Sequence, residues 1–275
     1  MTCDKESAVK YEVLKKILSG MGSLLVAYSG GVDSTFLLKV AENVLDKNVV
    51  AVTARSETYP AREFKEAEKL LKHFNVKHIV IDTKELENEK FTANTPQRCY
   101  YCKSELFSKL IQLAKELGLK YVADGSNYDD LSDYRPGMKA ACELGIRSPL
   151  QEAKLTKEDI RALSNELKLP TWKKPSFACL SSRFPYGVKI TQEELTKIDK
   201  AEEYILSFGI EQVRVRAHGP IARIEIPAEN IPGIFDNGIS KKITDKLKSL
   251  GYTYVSLDLE GYRTGSMNAV LDNKE

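Results

Sequence analysis

The stretch Leu24-Leu25-Val26-Ala27-Tyr28-Ser29-Gly30-Gly31-Val32-Asp33-Ser34-Thr35 decides how the rest of the chain is read. Its apolar start suits a strand buried on both faces. The two glycines permit a sharp turn and a close approach of backbone to a ligand. Phe36, Leu37, Val40 and Val44 follow at helical spacing and predict a helix. A strand feeding a glycine turn and then a helix leaves free N–H groups at the positive end of the helix dipole, a natural seat for an anion. Ser29, Ser34 and Thr35 add hydroxyl donors. A plain capped helix start accounts for the same Ser and Asp residues more simply. The segment is not a Walker A sequence, since it lacks the Gly-Lys-Ser/Thr ending, and it is not Gly-x-Gly-x-x-Gly.

Outward from this segment, strand and helix patterns alternate. Strands are predicted at Val49–Val52, His78–Ile81 and Lys120–Ala123, and helices over 7–18, 61–74, 103–117 and 156–167. Strands separated by helices argue for a parallel sheet covered on both faces, an α/β fold. The pattern changes after Pro170, Pro175 and Pro185. A helix is expected over 192–206, alternating half-exposed strands at 212–216 and 222–226, a helix over 241–250 and a last strand over 252–257. The expected organisation is an α/β domain over 1–185, including the loop that carries Cys179, and a smaller α+β domain over 186–275.

The 275 residues, 42% apolar and 29% charged, belong to a globular chain and exclude a disordered one. No run approaches the ~20 apolar residues that span a bilayer, and the opening Met-Thr-Cys-Asp-Lys-Glu lacks the apolar core of a secretion signal. A soluble cytoplasmic protein without a membrane partner is expected. A net charge of +2 argues against a nucleic-acid partner while leaving room for a local basic patch. The five cysteines are Cys3, Cys99, Cys102, Cys142 and Cys179. In a reducing compartment such a set is read for metal or redox chemistry rather than disulfides.

The loop Ser29-Gly30-Gly31-Val32-Asp33-Ser34 resembles the PP-loop of ATP pyrophosphatases, Ser-Gly-Gly-x-Asp-Ser. That resemblance implies a parallel-sheet PP-loop domain. It implies ATP cleaved between its α and β phosphates with Mg²⁺, an ATP site at Ser29, Gly30, Gly31, Asp33, Ser34 and Thr35, and an adenine near Thr53 to Arg55. Further segments narrow the choice: Ala54-Arg55-Ser56-Glu57, Asn94-Thr95-Pro96-Gln97-Arg98-Cys99-Tyr100-Tyr101-Cys102-Lys103, Asp124-Gly125-Ser126-Asn127-Tyr128-Asp129-Asp130, Asp133-Tyr134-Arg135-Pro136-Gly137, Arg147-Ser148-Pro149-Leu150, Lys174-Pro175-Ser176-Phe177-Ala178-Cys179-Leu180-Ser181-Ser182-Arg183 and Gly265-Ser266-Met267-Asn268. Together they resemble the LarE family of ATP-dependent sulfur transferases from about residue 10 to residue 270. The resemblance implies pyridinium-3,5-biscarboxylic acid mononucleotide as substrate and conversion of its carboxylates to thiocarboxylates in nickel-pincer nucleotide biosynthesis. It also implies a sulfide source and a homo-oligomer, a hexamer.

Cys99 and Cys102 form C-x-x-C, read as lying just ahead of a helix, and Cys179 sits in a proline-bounded loop. Three thiolates suit a [4Fe–4S] cluster with one iron left open. In LarE-like proteins one type carries such a three-cysteine cluster, whereas another gives up the sulfur of a single cysteine at the position matched by Cys179. Zinc or a redox pair are further readings, though a structural zinc needs four ligands. Cys3 falls in a terminus and Cys142 is read as helix packing. A substrate with a phosphate and two carboxylates asks for guanidinium forks. Arg214 and Arg216, two apart and on one strand face, match a basic pair assigned to substrate phosphate in LarE-like proteins, and Ser182 and Arg183 are similar candidates. A solvated face with ordinary ion pairs is the simpler account of the same residues. Asn127 and Asp129 are candidate nucleotide or metal contacts, with plain turn chemistry beside that. Thiolation of tRNA, an ammonia-using ligase and a non-enzymatic nucleotide-binding module are the competing functions.

Overall fold

A computed structural model describes residues 5–132, 136–263 and 266. Cys3, Asp133, Tyr134, Arg135, Gly265, Met267 and Asn268, singled out above, lie outside the described residues. In chain order the elements are α1 (Lys5–Met21), β1 (Leu24–Ala27), α2 (Val32–Leu45), β2 (Val49–Arg55), α3 (Ala61–Leu71), β3 (Lys77–Asp82), α4 (Glu89–Thr92), α5 (Arg98–Glu116), β4 (Tyr121–Ala123), α6 (Pro136–Glu143), α7 (Pro149–Glu152), α8 (Lys157–Glu166), α9 (Gln192–Leu206), β5 (Arg214–His218), β6 (Ile221–Glu225), α10 (Ile231–Ile234), α11 (Ile239–Ser249) and β7 (Tyr254–Leu257). The chain divides into two compact units. The first contains residues up to Ser56, Ala61–Glu85 and Pro96–Phe177; the second contains Glu57–Pro60, Leu86–Thr95 and the chain from Ala178 onward. The main division thus runs between Phe177 and Ala178, and it places Cys179, Ser182 and Arg183 in the second unit.

In the first unit β1, β2, β3 and β4 form a parallel sheet in the order β3-β2-β1-β4. The parallel α/β architecture expected from the sequence is therefore present. Strand β1 is central, paired along its edges with β2 and β4, and helices cover both its faces. Leu24, Val26 and Ala51 join a core with Phe36, Leu37 and Val40 of α2 and Ile160 and Leu163 of α8. Leu25, Val50 and Val52 pack on the opposite face with Phe107 and Leu110 of α5. This two-sided burial is the physical reason that β1 reads as an unbroken apolar run. Among the described residues no helix is long and apolar enough to cross a membrane.

Helix α5 starts at Arg98, not near 103. The backbone N–H groups of Tyr100 and Tyr101 already donate to the Gln97 carbonyl. Cys99 and Cys102 therefore lie in the first turns of the helix, three apart, and share a side of it. Cys142 is exposed on α6, while its neighbours Ala140 and Ala141 make the packing contacts.

The second unit holds a three-stranded sheet in the order β5-β6-β7, with β5 and β6 antiparallel and β6 and β7 parallel. Strand β5 is buried along Arg214–Ala217 rather than half-exposed. Helix α9 and the turn at 180–183 account for this: Glu202 of α9 accepts from the Val215 N–H at 2.9 Å, and Arg216 donates to the Ser182 carbonyl at 3.0 Å.

Candidate active site

The turn between β1 and α2 sits at the carboxyl end of the central strand, the edge at which open parallel sheets bind ligands. Gly30 has φ of +65°, and a Cβ there would stand 2.7 Å from the Ala67 Cβ of α3, so no other residue fits without displacing that helix. Gly31 is the N-cap of α2 and offers no side-chain cap, leaving the first helical N–H groups without the capping oxygen that often satisfies them. Asp33 is therefore not the cap. Ser29 and Ser34 bring their Oγ atoms to 3.1 Å, and Thr35 donates to the Tyr28 hydroxyl at 3.3 Å. Burial pushes Tyr28 up to about 12, against the opposing hydrogen bond from Thr35, so it stays neutral.

Three other segments of the first unit reach this turn. Gly125, after β4, lies so close that a Cβ would meet the Ser34 nitrogen at 3.0 Å. The adjacent Asp124 accepts from Ser126 and Ser148 hydroxyls at 2.7 and 2.8 Å. Lys157, the first residue of α8, places Nζ 2.6 Å from Asp33 Oδ2, while Asp33 Oδ1 is buried with no hydrogen-bond partner among the described residues. Lys174 stands between Glu63 (2.9 Å) and Glu66 (2.7 Å) and donates to the Gly30 carbonyl at 3.4 Å. Burial lowers the Lys174 pKa but the two glutamates outweigh it, so the ammonium is held above its ordinary value and stays charged. Asn127 and Asp129 are occupied in building their own turn: Asp129 N–H donates to Asn127 Oδ1 at 3.0 Å, and Asp129 Oδ2 accepts from the Lys157 N–H at 2.8 Å. Thr53 is buried against His78, and Arg55 is exposed and paired with Asp82 at 2.7 Å.

Cys99, Cys102, Cys142 and Cys179 form no disulfide among the described residues. Cys102 donates to Glu85 Oε1 at 3.6 Å, and Glu85 also accepts from Thr83 and Ser56. Among the described residues no three His, Cys, Asp or Glu side chains are gathered as a metal site. Cys99 and Cys102 supply two thiols from one helix, and Cys179 belongs to the other unit.

The second unit contains a buried charge network around the turn after Cys179. Arg183 is completely buried; its Nε and Nη2 donate to Glu202 at 2.8 and 3.0 Å, and its Nη1 donates to the Ala178 and Cys179 carbonyls at 2.7 and 3.0 Å and to Ser182 Oγ at 2.8 Å. It shapes the cysteine loop from beneath. Arg216 pairs with the buried Glu225 at 2.7 Å, and Glu225 also receives Arg223 at 2.9 Å. Arg214 donates to the Val213 carbonyl and stacks its guanidinium on Tyr262, 5.4 Å from the ring centre. Burial and the nearby Arg183 bring Arg214 down to about 10. Among the described residues Arg183, Arg214, Arg216 and Arg223 thus face Glu202, Glu225 and Asp258, four cations against three carboxylates, an arrangement that favours an anion. Ser182, Arg183, Arg214 and Arg216 lie in one network: Arg183 donates to Ser182 Oγ, Arg216 to the Ser182 carbonyl, and Arg214 feels the charges of both other arginines. Glu202, which with Glu225 organises them, carries no local mark of burial in the sequence, since it stands on an amphipathic helix.

A parallel sheet, a Ser-Gly-Gly turn feeding an uncapped helix and acidic and basic groups converging on it define a PP-loop ATP pyrophosphatase, and the chain belongs to that family of enzymes. The family described as "Queuosine biosynthesis protein QueC" matches residues 23–187. The chain is 42% identical over 269 residues to the pyridinium-3,5-bisthiocarboxylic acid mononucleotide synthase of Lactiplantibacillus plantarum, covering 96% of this chain and 95% of that one. It is 45% identical over 262 residues to the protein slr1717 of Synechocystis sp., covering 95% and 98%. A tRNA-specific 2-thiouridylase, MnmA 2 of Thermoanaerobacter sp., is 27% identical over 54% of this chain and 52% of its own.

Proposed function

We propose that the protein is an ATP-dependent sulfur transferase that converts the carboxylates of pyridinium-3,5-biscarboxylic acid mononucleotide to thiocarboxylates. The observation that carries this reading is likeness to the pyridinium-3,5-bisthiocarboxylic acid mononucleotide synthase along nearly the whole of both chains, whereas the likeness to the tRNA thiolase covers about half of each.

A carboxylate resists attack because its charge repels nucleophiles and oxide is a poor leaving group. Its oxygen attacks the α-phosphorus of ATP, the bond to the β-phosphate breaks, and pyrophosphate leaves. Ser29, Gly30, Gly31, Ser34 and Thr35 hold the pyrophosphate through N–H and hydroxyl donors, and Asp33, whose Oδ1 has no hydrogen-bond partner among the described residues, would hold Mg²⁺, which would offset triphosphate charge. A sulfur nucleophile then adds to the acyl-adenylate carbonyl and AMP departs with the C–O bond electrons. Arg214 and Arg216, with Ser182 and the buried Arg183 beside them, take the substrate phosphate.

The thiol donor set Cys99, Cys102 and Cys179 would hold a [4Fe–4S] cluster, which supplies a terminal sulfide when bound. A second reading needs Cys179 alone, whose backbone carbonyl is held by the buried Arg183. In that reading Cys179 Sγ attacks the acyl-adenylate, AMP leaves and a thioester forms. Loss of the Cys179 α-proton with cleavage of its Cβ–S bond then releases the thiocarboxylate and leaves dehydroalanine. Anaerobic purification followed by iron and sulfide analysis decides between them. About four irons per chain, lost in Cys99→Ala, with repeated turnover on added sulfide, supports the cluster. An iron-free protein that turns over once and leaves Cys179 lighter by H₂S supports sacrifice.

A further inference from the structure

The PP-loop segment from Ser29 to Thr35 contains no basic residue, yet it contains the acidic Asp33 in the first turn of α2. A pyrophosphate group brought to that helix end meets favourable N–H groups and an unfavourable carboxylate together. Lys157 lies against this carboxylate, with Nζ 2.6 Å from Oδ2, and its side chain retains 29% exposure. Its backbone is held firmly. Lys157 opens α8, its N–H is fixed by Asp129, and the start of the helix is closed by a capping box in which Thr156 and Asp159 bond each other's backbone. Asp159 is in turn held by Ser7 and Lys10 of α1. The four-carbon stem therefore swings from a rigid base.

We propose that Lys157 is a protein cation of the pyrophosphate site: it neutralises Asp33 and donates to a phosphate oxygen when ATP binds. The proposal rests on the reading of the loop as the ATP site. A compact, mobile ammonium suits this double duty better than a planar guanidinium, since one charge shifts between two neighbouring oxygen anions.

The test compares wild type with Lys157→Met and Lys157→Arg in the full chain, measuring binding of ATP, inorganic pyrophosphate and adenosine by calorimetry, and thermal unfolding. Lys157→Met is expected to weaken ATP and pyrophosphate about tenfold, the loss of one charge-assisted hydrogen bond. Adenosine affinity should stay unchanged and Lys157→Arg should recover part of the loss. Unchanged ATP and pyrophosphate affinities with a lowered melting temperature would overturn the proposal and leave Lys157 a structural ion pair. Wild-type protein that binds neither ATP nor pyrophosphate would instead overturn the reading of the loop.

Discussion

Arg183 and Glu202 form a salt bridge sealed from solvent at both ends, and the same guanidinium holds the carbonyls of Ala178 and Cys179. Removing one partner strands a buried charge, so Arg183→Met or Glu202→Leu is expected to cost about 3–5 kcal/mol in urea unfolding. The gentler Arg183→Lys keeps the charge but loses the fork. It should leave ATP binding in the first unit intact while Cys179 becomes more accessible, read as faster iodoacetamide labelling by mass spectrometry.

Gly30→Ala places a side chain at positive φ and into Ala67. The backbone strain alone is about 1–2 kcal/mol, and the clash adds to it. The expected result is a lower melting temperature together with loss of ATP binding. Gly20→Ala, at an open position in α1, serves as the contrast and should stabilise slightly, by up to about 1 kcal/mol.

Asp159 lies at about 2, because hydrogen bonds from Ser7, Thr156 and Lys10 outweigh the burial that would raise it. A carboxyl depressed in the folded state contributes stability above its unfolded pKa and loses it as pH falls towards the folded value. Wild type should therefore lose stability between about pH 4 and pH 2. Asp159→Asn should flatten that part of the profile and cost about 1 kcal/mol at neutral pH through the damaged capping box. Thermal melts across the pH series check both.

The charge excess around Arg214 predicts that a phosphate monoester such as nicotinamide mononucleotide raises the melting temperature by neutralising it. Arg214→Met should abolish that rise. An unchanged rise in the variant would remove Arg214 from the phosphate site.

The β1–turn–α2 unit was legible in the sequence because each part is locally determined: an apolar strand, a glycine at positive φ and a helical apolar period. The start of α5 is less legible: the sequence places C-x-x-C just ahead of a helix that opens near 103, whereas Gln97 already accepts the first helical bonds. Strand β5 alternates charge with apolar residues as an exposed strand does. Burial of its arginines depends on Glu202 and Glu225, which reach them from another helix and another strand. Lys157 could not be found from sequence, since its contact with Asp33 spans 124 residues and exists only once α8 packs on α2.

The most direct measurement of the central claim is anaerobic incubation with ATP, Mg²⁺, sulfide and the pyridinium dicarboxylate mononucleotide, with AMP, pyrophosphate and the pyridinium product quantified together. The account predicts AMP and pyrophosphate in equal amounts, released only when the pyridinium substrate is present, and matched by exchange of carboxylate oxygen for sulfur. AMP release without that exchange, or no release with this substrate, would contradict it.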